Sequence, residues 1–129
     1  MIRSILAAVA GLVAWFVVAQ LGDLLIRVAL PGYAAAEPAM AFTLPMMISR
    51  LVLGALCSLV GGYVCSAVAR GARDAAYGLA AVLLAGFLYV HYGLWPRFPV
   101  WYHAVFLLSL VPLVLLGAAG HRRARAAAP

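Results

Sequence analysis

Three polar side chains lie on one face of the first long apolar segment of the sequence. Gln20, Asp23 and Arg27 follow one another at spacings of three and four residues, so a helix stacks them one above another. Arg50 lies about six residues into the next apolar segment, at a comparable depth if both segments cross a membrane. An ionisable side chain at membrane depth costs at least ~2.5 kcal/mol unless it pairs or reaches the interface. We therefore expect Asp23 to pair with Arg27 within its helix and with Arg50 across helices.

Two kinds of role fit this polar cluster, which we define as Gln20, Asp23, Arg27 and Arg50. A structural ion pair would fix the register of two helices, while Arg27 extends to the headgroup level. Alternatively, the same charges would form a relay for protons or ions, an anion site built on two arginines, or a site for a lipid headgroup. The sequence leaves both roles open.

Two histidines flank the last connecting segment. His91 ends one apolar segment and His103 begins the next, with aromatic residues and prolines between them, so a hairpin brings both imidazoles to one level of the membrane. Two histidines suffice as protein ligands for haem or for some transition metals. Their spacing matches no metal motif, and histidines hydrogen-bonded to water, headgroups or carbonyls are the alternative. We expect no bound cofactor, and keep haem or metal binding by His91 and His103 as a third hypothesis.

Two adjacent rows of small residues run along the second apolar segment. One row is Gly54, Ser58, Gly62 and Ser66, and the other is Cys57, Gly61 and Cys65. In lipid, small residues let helix backbones approach closely, and this packing drives association. The first row is predicted to be a helix-packing face, either within the chain or against a second copy or a partner. The two cysteines would lie about 12 Å apart along a helix, which is too far for a disulfide.

Four apolar segments position these groups. We predict helices at about 4–30, 44–70, 74–94 and 99–120. Each is long enough to span a bilayer, which takes about 20 residues. Segments rich in proline, glycine or arginine separate them. The prediction is an all-α fold, an integral membrane bundle of four transmembrane helices with antiparallel neighbours, in which residues 1–129 form a single domain. A cleaved signal peptide ending near Ala19 is the alternative for the first segment, although the apolar run continues past it.

Composition agrees with a membrane location. Hydrophobic residues make up 68% of the 129 residues and charged residues only 9%, which leaves too little polar surface to cover a soluble domain. The net charge of +6 comes from arginines at the ends of apolar segments, so we predict the lipid bilayer as the partner and no nucleic acid. No phosphate-binding loop, zinc-protease helix or serine nucleophile motif is present, so the prediction leans away from an enzyme.

Arginine placement predicts the orientation. The arginines on one side of the predicted bundle are Arg3, Arg70, Arg73, Arg122, Arg123 and Arg125. Arg97 is the only one in an opposite loop, and cytoplasmic loops carry the excess of positive charge. Both termini are therefore predicted to be cytoplasmic. Abundant alanine, and arginine without lysine, suggest a high-GC bacterial genome, and we predict the bacterial inner membrane as the location.

A resemblance to known proteins covers roughly half of the chain. It extends from Gly61-Gly62-Tyr63 through Pro96–His103 to Pro112 and Gly117. These residues resemble those of uncharacterised small four-helix inner-membrane proteins of bacteria. The resemblance implies the four-helix architecture, and it implies no activity, cofactor or catalytic residue. Small multidrug-resistance exporters also have four short helices, but their hallmark is a membrane-embedded glutamate in the first helix, where this chain has only Asp23.

The leading prediction for function is a non-enzymatic membrane protein that acts through helix contacts. It would be a homo-oligomer or an accessory subunit of a larger membrane complex, with the row from Gly54 to Ser66 as its contact face. The alternative is a small transporter or channel in which Asp23, Arg27 and Arg50, together with Gln20, form the substrate or proton site.

Overall fold

The computed structural model describes residues 1–129, which form helices joined by short connections. Its four long helices are Ile2–Ala29, Leu44–Val68, Arg73–Gly93 and Val100–Ala127, and we number them first to fourth. Each is long and apolar enough to cross a membrane. The predicted all-α bundle of four membrane helices is confirmed, and the chain is a multi-pass membrane protein.

The connections form where the sequence interrupts a helix. The first helix ends at Ala29, and the backbone of the next residue, Leu30, is extended because the following Pro31 disfavours the helical conformation there. A short helical turn, Tyr33–Ala36, and a 3-10 turn, Glu37–Ala39, complete the first connection. Between the second and third helices, Gly71 has a φ of +87°, a conformation that glycine adopts without strain, and its N–H donates to the Ser66 carbonyl at 2.8 Å.

The fourth helix is longer than predicted. It continues to Ala127, whereas the apolar pattern placed its end at about Gly120. The extra residues are mostly arginine and alanine, which are strong helix formers. The end of the apolar pattern therefore marks the change from lipid to water, and the helix itself continues past it. Arg125 Nη1 in this extension donates to the Arg70 carbonyl at 3.2 Å.

The second helix is the centre of the bundle and packs against the first and the fourth. Its crossing with the fourth helix is a contact between backbones. A Cβ atom added at Gly62 would lie 2.0 Å from the Val114 carbonyl oxygen, and one at Gly117 would lie 2.0 Å from the Leu59 carbonyl oxygen. Only glycine fits at either position, so these two residues set the distance between the helices.

The first and third helices border a space at each end of the bundle, of about 370 and 380 Å³. We call the end with both chain termini the terminal end, and the end with residues 30–43 and 94–99 the loop end. Near the terminal end, Ser4 Oγ donates to Asp74 Oδ2 at 2.7 Å, and Leu79 packs against Gly11. Towards the loop end, side chains of both helices line a pocket that the second and fourth helices also border.

Candidate functional site

The pocket has a volume of about 380 Å³ and extends from the loop end towards the middle of the bundle. The first and third helices form its two sides, and the second and fourth helices form its back wall. Phe16 and Val90 lie on opposite sides of it and are 48% and 44% exposed. In a membrane, lipid chains would surround these two side chains, so the pocket opens sideways to the hydrocarbon as well as towards the loop end.

The charged residues of the predicted polar cluster lie together at the mouth of this pocket. Arg27 Nε is 2.9 Å from Asp23 Oδ2, one turn away on the same helix. Arg50 Nη1 is 3.8 Å from Asp23 Oδ1, across the helix interface. Gln20 lines the same pocket one turn deeper. The structure therefore places all four residues around one space, and the two pairings expected for Asp23 are both present.

Two residues of the first connection complete the cluster, and sequence reasoning missed both. The Tyr33 hydroxyl donates to Asp23 Oδ1 at 3.0 Å and accepts from Arg50 Nη1 at 2.5 Å. Glu37 Oε1 accepts from Arg27 Nη2 at 2.9 Å. The sequence did offer one signal for Glu37. It is the only carboxylate in a connection at the loop end, where Arg27 and Arg50 both need acidic partners. Together these bonds hold residues 33–37 against the mouth of the pocket.

The two histidines form a hydrogen-bonded pair beside the pocket. His91 Nδ1 and His103 Nδ1 are 2.7 Å apart, and the residues are only 5% and 1% exposed. One nitrogen must donate and the other accept, so at most one of the two rings carries a positive charge. No group of three or more His, Cys, Asp or Glu side chains is placed to hold a metal ion.

The surroundings of the two rings favour one set of tautomers for this pair. His103 Nε2 is buried without a partner. A buried N–H without a partner is rarer than an unpaired acceptor, which favours His103 carrying its proton on Nδ1 and donating it to His91 Nδ1. His91 then carries its own proton on Nε2. Because His91 lines the pocket, it presents an N–H donor there.

Aromatic rings connect the mouth of the pocket with its deep end. Successive ring neighbours, with centroids 4.6 to 6.1 Å apart, are Tyr33, Phe42, Phe98, Tyr102, His91, Phe106, Phe87 and Trp15. At the mouth, the Arg50 guanidinium lies 4.8 Å from the centre of the Phe42 ring, a cation–π contact. Most of this wall is therefore flat and apolar, with its charges at one end.

The small-residue face of the second helix is occupied within the chain. Gly54 faces Phe106, and Gly62 contacts the backbone of Val114. Ser58 Oγ accepts from Trp15 Nε1 at 3.2 Å, and Ser66 Oγ lies 3.2 Å from His121 Nδ1. All four residues of the row are buried in the single chain. The row therefore packs inside the bundle and does not offer a free face to a second copy, which corrects the contact face of the leading prediction.

Comparison with known proteins adds no relative: no protein-family model matches the chain, and neither a curated protein nor a solved structure is significantly similar to it. No family is identified. The resemblance noted in the sequence agrees with the structure only in the architecture, four helices that are candidate membrane spans. The fold and the pocket define a four-helix, multi-pass membrane protein.

Replacement of Tyr33 tests whether the first connection is held by the polar cluster. Tyr33→Phe removes the hydroxyl that joins Asp23 to Arg50 and leaves the fully buried ring in place. We expect the free energy of unfolding to fall by about 1–2 kcal/mol because two partners lose a hydrogen bond. Tyr89→Phe is the matched control, since that ring is 82% exposed. Equal stabilities of the two variants, measured by denaturant unfolding in detergent micelles, would contradict the role of the hydroxyl.

The same hydroxyl predicts a pH dependence. Burial raises the pKa of Tyr33 above its ordinary value of 10.0, against the opposing effect of the Arg50 guanidinium. A raised pKa means that folding stabilises the neutral phenol, so this stabilisation is complete below pH ~10 and decreases as the pH rises through the pKa of the folded protein. The loss of stability above pH ~10 should therefore be smaller in Tyr33→Phe than in the unsubstituted protein.

Proposed function

We propose that this protein binds a lipid-soluble, amphipathic molecule in the pocket between its first and third helices. The observation that carries the proposal is the distribution of polarity in that pocket. Its mouth holds Asp23, Arg27, Glu37 and Arg50, whereas its deep end is formed mostly by apolar and aromatic side chains. A molecule with a polar head and an apolar body matches both regions.

The size and the openings of the pocket support a ligand from the membrane. Pockets for small molecules typically have volumes of ~300–1,000 Å³, and this one lies within that range. The half-exposed Phe16 and Val90 border it where lipid chains would lie, so a molecule dissolved in the bilayer would enter without crossing water. An apolar tail longer than the pocket would extend between these side chains into the bilayer.

Binding fits the structure better than conduction does. The pocket ends near Trp15 and Cys57, in the middle of the bundle. Beyond that level, a Cβ atom added at Gly11 would lie 2.6 Å from Leu79 Cδ2 and 2.7 Å from the Gly61 carbonyl oxygen. Packing this close argues against a continuous path from the pocket to the terminal end in this conformation. Transport with the polar cluster as its substrate site would need these helices to separate.

The location and orientation that go with this proposal come from the arginine count. With both termini in the cytoplasm of a bacterium, the loop end faces the periplasmic side of the inner membrane. The ligand would then enter the pocket from the outer leaflet of the membrane. Association with a second copy or a larger complex would use a surface other than the small-residue row.

Photolabelling tests the proposal directly. The protein in lipid nanodiscs is irradiated with a decanol that carries a diazirine in its chain, and the labelled peptides are mapped by mass spectrometry. We expect label on the first helix between Phe16 and Asp23 and on the third helix between Phe87 and Leu94, because those residues line the pocket. Label spread evenly over the lipid-exposed residues of all four helices would contradict the proposal, because an amphiphile that merely dissolves in the bilayer gives that pattern.

A further inference from the structure

We infer that the ligand of this pocket is a neutral molecule with a flat ring and carbonyl oxygens, the chemistry of a membrane quinone. Such a molecule carries no net charge, and its oxygens accept hydrogen bonds from Arg50, His91 and Gln20. The inference rests on the proposed function and specifies its ligand class. Three independent properties of the pocket lead to it.

The first property is that donors outnumber acceptors among the unused hydrogen-bonding groups of the pocket. Both oxygens of Asp23 already accept hydrogen bonds and Glu37 Oε1 accepts from Arg27, which leaves Glu37 Oε2 and the amide oxygen of Gln20 as acceptors. Arg50 has five N–H donors and uses one of them, on Nη1, within the protein; its Nε is buried without a partner, and the side chain as a whole is 27% exposed, which leaves donors on Nη1 and Nη2. The Nε2–H assigned to His91 and the amide of Gln20 add further donors at the pocket wall. A ligand with oxygen acceptors satisfies these groups.

The second property is charge balance. The mouth holds two carboxylates, Asp23 and Glu37, and two guanidinium groups, Arg27 and Arg50, so its formal charge is zero. A carboxylate-headed or ammonium-headed ligand would bring one uncompensated charge to membrane depth, which costs a few kcal/mol. A neutral carbonyl compound avoids that cost and still accepts hydrogen bonds from charged donors, which are stronger than those between neutral groups.

The third property is the shape of the wall. Phe98, Tyr102, Phe106 and Phe87 line the pocket, and their rings are linked by stacked or edge contacts through His91. Aromatic rings pack best against another flat ring, in offset or edge-to-face geometry. A flat conjugated head therefore fits this wall better than a bulky, branched polar head.

Calorimetry with four probes whose apolar tails have nine or ten carbons tests the inference. The protein in nanodiscs is titrated with 2-decyl-1,4-benzoquinone, decylbenzene, decanoate and decyltrimethylammonium, and empty nanodiscs give the partition baseline. We expect the quinone to bind about tenfold more tightly than decylbenzene, since one net hydrogen bond from a charged or polar donor corresponds to about that factor. Equal binding of these two probes would overturn the role of the carbonyls, and tighter binding of decanoate or decyltrimethylammonium would overturn the neutral head.

The proposed function and this inference fail in different ways. If photolabel maps to the pocket but the quinone shows no advantage, the inference is wrong and the pocket binds another class of amphiphile. If photolabel does not map to the pocket, the proposed function is wrong, whatever the probes do.

Variants of His91 separate hydrogen bonding from packing. His91→Phe keeps a flat ring and removes the donor, so it should weaken quinone binding about tenfold and leave decylbenzene binding unchanged. His91→Gln restores an N–H donor and should recover most of the affinity for the quinone. Gln20→Leu, at an exposed position of the first helix, gives the same test without disturbing the histidine pair. Unchanged quinone affinity in both His91→Phe and Gln20→Leu would overturn the assignment of the donors.

Discussion

Gly62→Ala and Gly117→Ala are each expected to destabilise the bundle by about 3 kcal/mol, an effect near the upper end for overpacking of a core. The added methyl group at either position would lie 2.0 Å from a backbone carbonyl oxygen of the facing helix. A side chain could rotate away from such a contact, but a helix backbone cannot. The second and fourth helices would have to separate, and they would lose the close contacts of Gly62 with Val114 and of Gly117 with Leu59. Equilibrium unfolding in detergent measures the change.

Gly86→Ala is the matched control for these substitutions. It lies inside the third helix, and a Cβ atom there would meet nothing within 4 Å. Alanine has a higher helix propensity than glycine by about 1 kcal/mol, so this variant should be as stable as the unsubstituted protein or more stable. If Gly62→Ala and Gly117→Ala were as stable as Gly86→Ala, the backbone contact between the second and fourth helices would be wrong.

Ala19→Phe is expected to reduce labelling of the pocket by the diazirine decanol at least tenfold. Ala19 lies on the pocket wall between Phe16 and Gln20, and a phenyl ring there takes up space that the ligand needs. The loss should be large because the pocket is small, about 380 Å³. The measurement is the yield of labelled third-helix peptide, relative to the label on lipid-exposed residues of the same molecule.

Two further substitutions support the interpretation of Ala19→Phe. Val17→Phe adds similar bulk to the same helix at a residue that is 51% exposed and does not line the pocket, so its labelling should match that of the unsubstituted protein. Val90→Trp narrows the pocket from the opposite side at a half-exposed residue and should also reduce labelling. Full labelling of both Ala19→Phe and Val90→Trp, with both variants folded, would place the bound amphiphile elsewhere.

The fold was predictable because the apolar segments and their interruptions are strong local signals. The second helix begins at Leu44, with Pro45 in its first turn, where the missing N–H costs nothing. The end of the fourth helix was placed too early, since hydropathy reports contact with lipid and the arginine-rich extension is helical in water as well. Which face of the second helix the small residues cover was visible in the sequence. The identity of the helix that packs against this face, the fourth helix with Gly117 at the crossing, could be known only from the three-dimensional structure.

The candidate site was predictable only in part. The spacing of Asp23 and Arg27 predicts their ion pair, because residues four apart on a helix are neighbours. The placement of Tyr33 between Asp23 and Arg50 depends on how the first connection folds back over the bundle, which local spacing does not encode. The pocket itself depends on how the first and third helices pack against the second and fourth. That packing has no signature in any one helix alone.

Native mass spectrometry of the detergent-purified protein with added 2-decyl-1,4-benzoquinone tests the central claim, one amphiphile bound in the pocket between the first and third helices. We expect one bound molecule per chain, retained at collision energies that remove loosely attached lipid and detergent. We expect the same adduct for Val17→Phe and its loss in Ala19→Phe. A graded series of adducts that is identical in all three proteins would contradict the account, because it would mean that the amphiphile associates with the outer surface of the bundle.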